Sequence, residues 1–223
     1  MSSVAAFIAG IFSLNKDSTT RLKTIMPIVR FFSCAMHDFL IGKIILKGKE
    51  NLHRNKGPLI FVSNHESYWD AITMPVILTP TVFTVKGYVM FLPFAGWAIA
   101  MTPVIKIDSG FGWRRKDRQM VIELSKNELR KGNNILFYSQ GTRVRDGSRV
   151  PFKKGAARLA LETNTPVLPI ATNSINIWPG IFFTKTGDVT ISFGKPIYPE
   201  GKTEDELTEE LENWVYKERS LLD

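Results

Sequence analysis

Short apolar runs alternate along the chain with longer stretches in which apolar residues recur every three or four positions. The runs are bounded by Gly and Pro, and they predict buried strands, whereas the longer stretches predict amphipathic helices. We predict strands at about 59–63, 82–86, 103–107, 135–138, 166–170 and 189–193, and helices at about 68–78, 114–131, 155–163 and 203–222. This alternation predicts an α/β fold: a single domain with a central mixed, largely parallel sheet flanked by helices.

The first 45 residues follow a different pattern. Residues 4–14 are almost all apolar, but eleven residues fall short of the about 20 that a membrane-spanning helix needs. A second apolar stripe with helical spacing runs from Ile25 to Leu40, after a polar turn at 15–18. Two short apolar helices joined by a polar turn are typical of a hairpin that lies in one leaflet. Alternatively, both helices pack on the soluble core.

We therefore divide the chain into an N-terminal membrane-associating helical hairpin, residues 1–45, and an α/β domain, residues 46–223. The expected location is the cytoplasmic face of a membrane, as a monotopic protein whose basic residues face anionic headgroups. Cys34 is the sole cysteine and can form no intrachain disulfide, which fits a reducing compartment.

The charge is unevenly distributed. The net charge is +8, but residues 200–223 carry nine acidic and three basic side chains, which leaves +14 on residues 1–199. This excess of positive charge on residues 1–199 indicates phosphate, anionic lipid or nucleic acid as a partner. We expect no nucleic acid, because no zinc finger, basic-region or RNA-recognition signature is present. We also expect no metal site, because three scattered histidines and one cysteine show no ligand spacing.

The apolar run at 59–62 ends in the polar sequence Asn64-His65-Glu66-Ser67-Tyr68-Trp69-Asp70. His65 then lies at the carboxyl end of a strand, where α/β sheets form their ligand crevices. On one continuous helix His65 and Asp70 would diverge by about 140°, so they meet only if His65 lies in the loop. Asp70 would then fix the imidazole tautomer and leave a base for a hydroxyl group. Alternatively, Asp70 only completes a capping box with Ser67.

A second polar group follows the strand at 135–138. Gly141 permits close backbone approach, Thr142 offers a hydroxyl, and Arg143 offers a fork of donors that suits a phosphate. Five more basic residues follow as far as residue 158, against one aspartate, and they include Arg145. This pattern indicates a phosphate site, although a solvated basic loop has the same composition.

Two further segments bear on substrate binding. Residues 87–105 contain no charged side chain, but Pro93, Gly96 and Pro103 interrupt any long helix. We interpret this segment as lining an apolar pocket or contacting lipid, with Lys86 at its entrance; core packing is the alternative. The last predicted helix, 203–222, has one apolar and one acidic face, and we expect it to cap the sheet without a chemical role.

Three segments, taken in order, resemble motifs of the glycerolipid acyltransferases. They are Asn64 to Asp70, then Gly141-Thr142-Arg143 about 75 residues later, and then Thr165-Pro166-Val167-Leu168-Pro169-Ile170. In particular, the chain resembles the 1-acylglycerol-3-phosphate (lysophosphatidate) acyltransferases, which carry a His-x4-Asp motif. The resemblance extends from about residue 48 to residue 199.

The resemblance implies a role for each matching residue. His65 would be the catalytic base and Asp70 the residue that orients it. Lys86 and residues 87–105 match the block associated with the acceptor and the acyl chain. Gly141, Thr142 and Arg143 match the block assigned to the acceptor phosphate, and we add Arg145 from the same basic stretch.

The implied reaction moves a fatty acyl group from acyl-CoA or acyl-carrier-protein to the free hydroxyl of 1-acylglycerol-3-phosphate, giving phosphatidic acid for phospholipid biosynthesis. It needs no cofactor beyond the thioester co-substrate, and its partners are membrane lipids, the lysolipid and the acyl donor. Backbone N–H groups at the start of the predicted helix at 68–78 would stabilise the oxyanion. Ser67 is better placed as a helix cap than as a nucleophile.

Two positions depart from the family pattern. The block that usually reads Pro-Glu-Gly-Thr-Arg has Ser139 and Gln140 here, and the block that usually ends in arginine is followed by Ser109. Losing one anion and one cation predicts an altered acceptor site. The alternatives are a lysophospholipid acyltransferase with another acceptor and a non-catalytic lipid-binding relative.

Overall fold

The computed structural model describes residues 15–36, 42–53, 57–91, 99, 102–107, 115–144, 148–178 and 185–222. Seven strands form one sheet: β1 Ile44–Lys47, β2 Ile60–Ser63, β3 Thr81–Lys86, β4 Val104–Ile107, β5 Asn134–Tyr138, β6 Val167–Thr172 and β7 Val189–Phe193. The described α-helices are α1 Ser18–Met36, α2 Tyr68–Ile77, α3 Arg115–Arg130, α4 Gly155–Thr163 and α5 Glu204–Arg219. Short 3-10 helices cover Lys49–His53, Gly87–Phe91 and Ser174–Asn176.

The sheet is mixed and largely parallel, as the alternation of strands and helices predicts. The strand order is β1-β7-β6-β2-β5-β3-β4, and only β6 and β7 pair antiparallel among the described strands. All four residues of β2 are buried, and this strand lies between β5 and β6. The carboxyl ends of β2 and β5 therefore meet at one edge, together with the loops that follow them.

The edge strand β1 is absent from the six predicted strands. Its four residues alternate between half-buried and exposed, and they end in a lysine, so the hydrophobic signal is weak. β1 pairs parallel with β7. The expected boundary between residues 45 and 46 falls inside this strand, which belongs to the sheet as a whole.

Apolar residues fill both faces of the sheet because successive side chains of each strand point in opposite directions. On one face, strand residues such as Val62 and Ile135 pack against Leu159 of α4 and Leu211 of α5. On the other face, Phe61 and its neighbours on β5, β6 and β7 pack against α2. The resulting core lies directly beneath the loop that carries His65.

Helix α1 follows the predicted polar turn and divides its residues between core and surface. Leu22, Ile25 and Met26 are buried, whereas Arg30 is exposed and Phe31 is 67% exposed. No helix within the described ranges is long and apolar enough to cross a membrane. The predicted first hairpin helix, residues 4–14, lies outside the described residues.

Candidate active site

The loop after β2 is hydrogen-bonded to β6 on one side and to the loop after β5 on the other. Asn64 exchanges two hydrogen bonds with the backbone of Thr172 on β6: its Nδ2 donates to the carbonyl at 2.8 Å, and its Oδ1 accepts from the amide at 3.0 Å. On the other side, the His65 carbonyl accepts from the Val144 amide at 2.9 Å. The backbone at His65 is thus held by hydrogen bonds on both sides, independently of the contacts that its side chain makes.

His65 and Asp70 are in direct contact. His65 Nδ1 lies 3.0 Å from Asp70 Oδ2, and Asp70 is fully buried. The same oxygen accepts backbone N–H bonds from Glu66 at 2.8 Å and Ser67 at 3.0 Å, at the start of α2. One oxygen of Asp70 therefore binds the helix start and the imidazole together, so the capping box and the His65–Asp70 contact, which the sequence presents as alternatives, occur at once.

This contact defines which imidazole nitrogen is available for chemistry. An ionised carboxylate can only accept hydrogen bonds, so the ring proton of neutral His65 lies on Nδ1. The lone pair of Nε2 is then left to accept a proton. The His65 side chain is 16% exposed, so the imidazole is partly accessible. A neutral imidazole in this arrangement has the chemistry that a general base needs.

Tyr138, the last residue of β5, supports the imidazole from its face. The two rings stack with centroids 4.2 Å apart and an interplanar angle of 22°. The Tyr138 hydroxyl donates to the Asp70 carbonyl at 2.8 Å. Burial and then the Asp70 charge raise the pKa of this phenol well above its ordinary value, so it remains a donor. The sequence predicts the strand that carries Tyr138 but does not single out the residue.

Glu66 introduces a second buried carboxylate beside Asp70. It is 4% exposed, and Arg219 of α5 donates from Nε to its Oε1 at 2.6 Å. Its Oε2 accepts from the Ile175 amide at 3.3 Å. Burial raises the pKa of Glu66 above its ordinary value, although the Arg219 ion pair opposes this effect. The sequence offers no local signal for this pair, because its members are 153 residues apart.

Gln140 has a role that its departure from the family pattern did not predict. It is 4% exposed, and its Oε1 accepts from the His65 amide at 2.7 Å while its Nε2 donates to the Tyr216 hydroxyl at 2.9 Å. Its side chain thus connects the His65 loop to α5. Both ends of the Gln140 amide are therefore bound within the protein, and the altered acceptor site stays a prediction.

The predicted phosphate-binding residues follow β5 next to the His65 loop. The Arg143 guanidinium lies 3.6 Å from the centroid of the Tyr68 ring. Its Nη1 is buried and has no hydrogen-bond partner among the described residues. Thr142 is exposed, and Arg145 lies outside the described residues. Arg143 therefore holds a donor that an anionic acceptor would satisfy.

Gly141 is required by the turn that carries this group. Its φ of +71° lies in the left-handed region, and a Cβ there would come within 2.5 Å of Lys153 Nζ. The Gly141 amide donates to the Tyr138 carbonyl at 2.9 Å and closes the turn. The structure therefore explains this glycine by the turn geometry, in addition to the close approach of a ligand that the sequence predicts.

The rest of the basic stretch is directed elsewhere. Arg149 pairs with Glu212 at 2.8 Å, Arg158 pairs with Glu204 at 2.9 Å, and Lys154 pairs with Asp205. All three acidic partners belong to α5. The expectation of one broad basic phosphate site is therefore too wide: half of its six basic residues hold the C-terminal helix.

Lys86 lies at the same sheet edge but farther from His65. It is the last residue of β3, which is separated from β2 by β5. Two strand spacings separate the backbones of β3 and β2 by about 10 Å, so Lys86 is not in direct register contact with the His65 loop. Much of the apolar segment that follows it, including residues 92–98, lies outside the described residues.

Two expectations about the start of α2 have different outcomes. Ser67 is buried and its hydroxyl donates to Ser174 Oγ at 2.9 Å, which agrees with a structural role. Backbone amides at the helix start as oxyanion donors stay a prediction without assigned residues, and the amides of Glu66 and Ser67 are not free for this role because both donate to Asp70.

Comparison with known proteins gives consistent results. A sequence model of the family described as Acyltransferase matches residues 43–173. A chloroplast 1-acyl-sn-glycerol-3-phosphate acyltransferase from Brassica napus is 33% identical, covering 81% of this chain and 52% of the relative. A 1-acyl-sn-glycerol-3-phosphate acyltransferase from Pseudomonas aeruginosa is 30% identical, covering 76% and 66%. The chain therefore spans between about half and two thirds of the length of these relatives.

A solved structure has the same fold. The crystal structure of a 1-acyl-sn-glycerophosphate (LPA) acyltransferase from Thermotoga maritima aligns with a TM-score of 0.75, covering 99% of this chain and 95% of that chain. The sequences are 20% identical in this comparison, so the likeness establishes the arrangement of the sheet and helices.

Proposed function

The chain belongs to the acyltransferase family, and from this premise we propose that it transfers a fatty acyl group from a thioester to the free hydroxyl of 1-acylglycerol-3-phosphate. The product would be phosphatidic acid. The observation that carries the proposal is the His65 Nδ1 to Asp70 Oδ2 contact at a sheet edge, with Arg143 in the adjacent loop. It combines a base for the hydroxyl with a donor for the phosphate of one acceptor.

The proposed mechanism is direct transfer. His65 Nε2 takes the proton of the acceptor hydroxyl as its oxygen attacks the thioester carbonyl. The tetrahedral intermediate collapses by breaking the carbon–sulfur bond, and the imidazolium returns the proton to the leaving thiolate. The carboxylate of Asp70 stabilises the imidazolium between these two steps. The products are the new ester and the free thiol, so no net proton is consumed.

No covalent acyl-enzyme is included in this mechanism. The buried Ser67 hydroxyl donates to Ser174, and an imidazole that is bound through Nδ1 to Asp70 directs its free nitrogen to a substrate. A buried hydroxyl engaged in this way is not an activated nucleophile. Direct attack by the acceptor hydroxyl is therefore the simpler route.

Arg143 is the proposed anchor for the acceptor phosphate, together with Gly141, Thr142 and, from the same stretch of the sequence, Arg145. Its guanidinium lies over the Tyr68 ring, and its buried Nη1 needs a hydrogen-bond acceptor. A phosphate oxygen supplies both the negative charge and the geometry that a guanidinium prefers. We assign Lys86 and the apolar segment after it to the acyl chain and its entrance.

We further propose that residues 1–45 bring the enzyme to the cytoplasmic face of a membrane. The exposed Lys23, Arg30 and Phe31 on α1 support this, because cationic and aromatic side chains together favour an anionic lipid surface. Acyl-CoA or acyl-carrier-protein would deliver the acyl group from the aqueous side, and the lysolipid would enter from the bilayer.

The substrate class is tested by product analysis. Purified protein in phosphatidylglycerol-containing vesicles is given acyl-CoA or acyl-carrier-protein with lysophosphatidate, lysophosphatidylcholine or monoacylglycerol, and the lipid products are identified by mass spectrometry. The proposal predicts phosphatidic acid from lysophosphatidate and little product from monoacylglycerol, which lacks the phosphate. Equal use of monoacylglycerol would contradict a phosphate-directed site, and a preference for lysophosphatidylcholine would identify a different lysolipid acceptor.

Arg143→Ala separates the acceptor from the donor. Removing a charge-assisted hydrogen bond worth about 1.5–3 kcal/mol should raise the KM for lysophosphatidate about 10- to 100-fold. The KM for the thioester should stay unchanged, because the donor does not use this guanidinium. An effect confined to the thioester KM in the same steady-state measurements would contradict the assignment.

A further inference from the structure

The last turns of α5 contact the His65 loop through two side chains. Tyr216 and Arg219 are three residues apart and therefore lie on the same side of the helix. Tyr216 binds Gln140, which binds the His65 amide, and Arg219 binds Glu66, the next residue after His65. Both contacts come from outside residues 43–173, the part of the chain that the family model matches.

The Arg219 contact balances charge within the loop. The carboxylates of Glu66 and Asp70 are both buried, and both belong to the segment that presents His65. Arg219 is itself largely buried, with a side chain that is 12% exposed, so its ion pair with Glu66 is shielded from water. Removing one member of a buried pair leaves an uncompensated charge, which the loop can relieve only by moving or by taking up a proton.

The Tyr216 contact fixes the direction of the Gln140 amide. The Tyr216 hydroxyl donates to the Val150 carbonyl at 2.9 Å and accepts from the Val150 amide at 2.8 Å. Its remaining lone pair can only accept, and Gln140 Nε2 is the donor that it meets. Gln140 Oε1 is then turned towards the His65 amide. A glutamate at position 140 would offer no donor to Tyr216, which explains an amide at this position.

We propose that α5 is a positioning element of the acyl-transfer site, in which Tyr216 and Arg219 hold the backbone around His65 so that the imidazole stays on Asp70. This inference rests on the proposed function and extends it to a helix that the sequence assigned no chemical role. The other ion pairs of α5, such as Arg158 with Glu204, do not involve the His65 loop. The helix is thus attached to the domain at two places. The ion pairs of its first turns are structural, and the contacts of its last turns position the catalytic loop.

Steady-state kinetics on the full chain test the proposal with four variants. Arg219→Met and Tyr216→Phe remove the two contacts, Arg219→Lys keeps the charge, and Lys217→Met is the matched control. Lys217 lies on the same turn as Arg219, loses the same charge on substitution and is exposed. Misplacement of a catalytic group lowers the rate of the chemical step, and hence kcat, while the affinity for the substrates is retained.

The two contact-removing variants should lower kcat about 10-fold or more and leave both KM values within about twofold. Arg219→Lys should recover most of the lost kcat, and Lys217→Met should stay within about twofold of wild type. The double variant Glu66→Gln with Arg219→Met should be more active than Arg219→Met, because the uncompensated carboxylate is gone. Wild-type kcat in Arg219→Met and Tyr216→Phe, with only the thermal midpoint lowered, would reduce α5 to a structural helix and overturn the proposal.

A second readout separates this inference from the proposed function. The chain has three histidines, so ring 15N resonances of His65 can be assigned by comparison with His65→Gln. The wild type should show the neutral tautomer with the proton on Nδ1, and Arg219→Met should show a mixture of tautomers. If that change occurs but the wild type transfers no acyl group, the positioning role stands and the proposed reaction fails. An unchanged tautomer in Arg219→Met would overturn the positioning role, whatever the reaction.

Discussion

At the scale of single residues, Asp70 combines two tasks that the sequence presents as alternatives. One carboxylate oxygen binds both the imidazole and the first amides of α2. Both contacts are possible because the loop between β2 and α2 is short. It places His65 close to the free amides at the N-terminus of α2, and Asp70 in the first turn reaches both. A capping motif and the proposed catalytic motif therefore occupy the same positions of the sequence.

Asp70→Asn tests both tasks together. An amide oxygen can still accept from the backbone, but the charge that stabilises the imidazolium is lost. We expect kcat to fall by about 10²- to 10⁴-fold and the free energy of unfolding to fall by about 1 kcal/mol. Turnover assays and urea titrations measure the two effects. A loss of stability with full turnover would leave Asp70 as a helix cap alone.

Glu66 predicts a pH dependence of stability. Burial raises its pKa above the ordinary value despite the Arg219 ion pair. A carboxyl whose pKa is higher in the folded chain stabilises it fully below the unfolded pKa, and this stabilisation is lost as the pH rises through the folded pKa. The free energy of unfolding of the wild type, relative to Glu66→Gln, should therefore fall as the pH rises above about 4.3.

Glu206 provides a control, because its effect on the free energy of unfolding should change with pH in the opposite direction. Urea titrations at several pH values measure both effects. Hydrogen bonds from the Thr203 backbone and side chain lower the pKa of Glu206, so its stabilisation is present above the unfolded pKa and is lost on acidification. The wild type should therefore gain stability relative to Glu206→Gln as the pH rises. The same trend for Glu66→Gln would contradict the assignment of Glu66 as a carboxyl destabilised by burial.

At the scale of elements, sequence periodicity predicts six of the seven strands in the described part of the chain, and helices α2 to α5, within a few residues. It succeeds where an apolar run is long enough to be buried on both faces, as in β2 and β6. It misses β1, whose hydrophobic signal is that of a half-exposed edge strand. The strand order is likewise outside the reach of periodicity, because pairing is decided by contacts between distant segments.

The C-terminal helix α5 shows the same limit at the site. Its amphipathic pattern predicts a helix that caps the sheet, and Leu207, Leu211 and Val215 are buried as that pattern requires. Its contacts with Glu66 and Gln140 depend on three-dimensional placement, and no local pattern indicates them. The predicted motifs thus include His65, Asp70 and Arg143. The contacts of Tyr138 with His65 and Asp70, and of Tyr216 and Arg219 with Gln140 and Glu66, become visible only in the fold.

The attachment of α5 can be measured through its core face. Leu211 is 2% exposed and belongs to the cluster that also contains Leu159 and Val62. Leu211→Ala should lower the free energy of unfolding by about 2–5 kcal/mol, because it removes buried contacts and leaves a cavity. Glu209→Ala, an exposed change on the same helix, is the control and should stay within about 0.5 kcal/mol. Equal effects of the two changes in denaturant unfolding would contradict the packing described for α5.

At the scale of the whole molecule, the charge asymmetry of the sequence is partly compensated by ion pairs between α5 and the rest of the domain. Three acidic residues of α5 pair with Arg149, Lys154 and Arg158, so this part of the positive charge is neutralised by the chain itself. Arg143 remains near His65, and exposed lysines lie along β1 and before it, at positions 43 and 47. The basic composition therefore serves internal assembly as well as the proposed anionic substrate and membrane.

The central claim is that His65 acts as the base for direct transfer from thioester to lysolipid. The most direct test is the release of free thiol from acyl-CoA in vesicles, with and without lysophosphatidate, comparing wild type with His65→Ala. We expect release that depends on the acceptor in the wild type and falls by at least about 10³-fold in the variant, with the thermal midpoint retained. Acceptor-dependent release at the wild-type rate in His65→Ala would contradict the account, and release without acceptor would indicate a thioesterase instead.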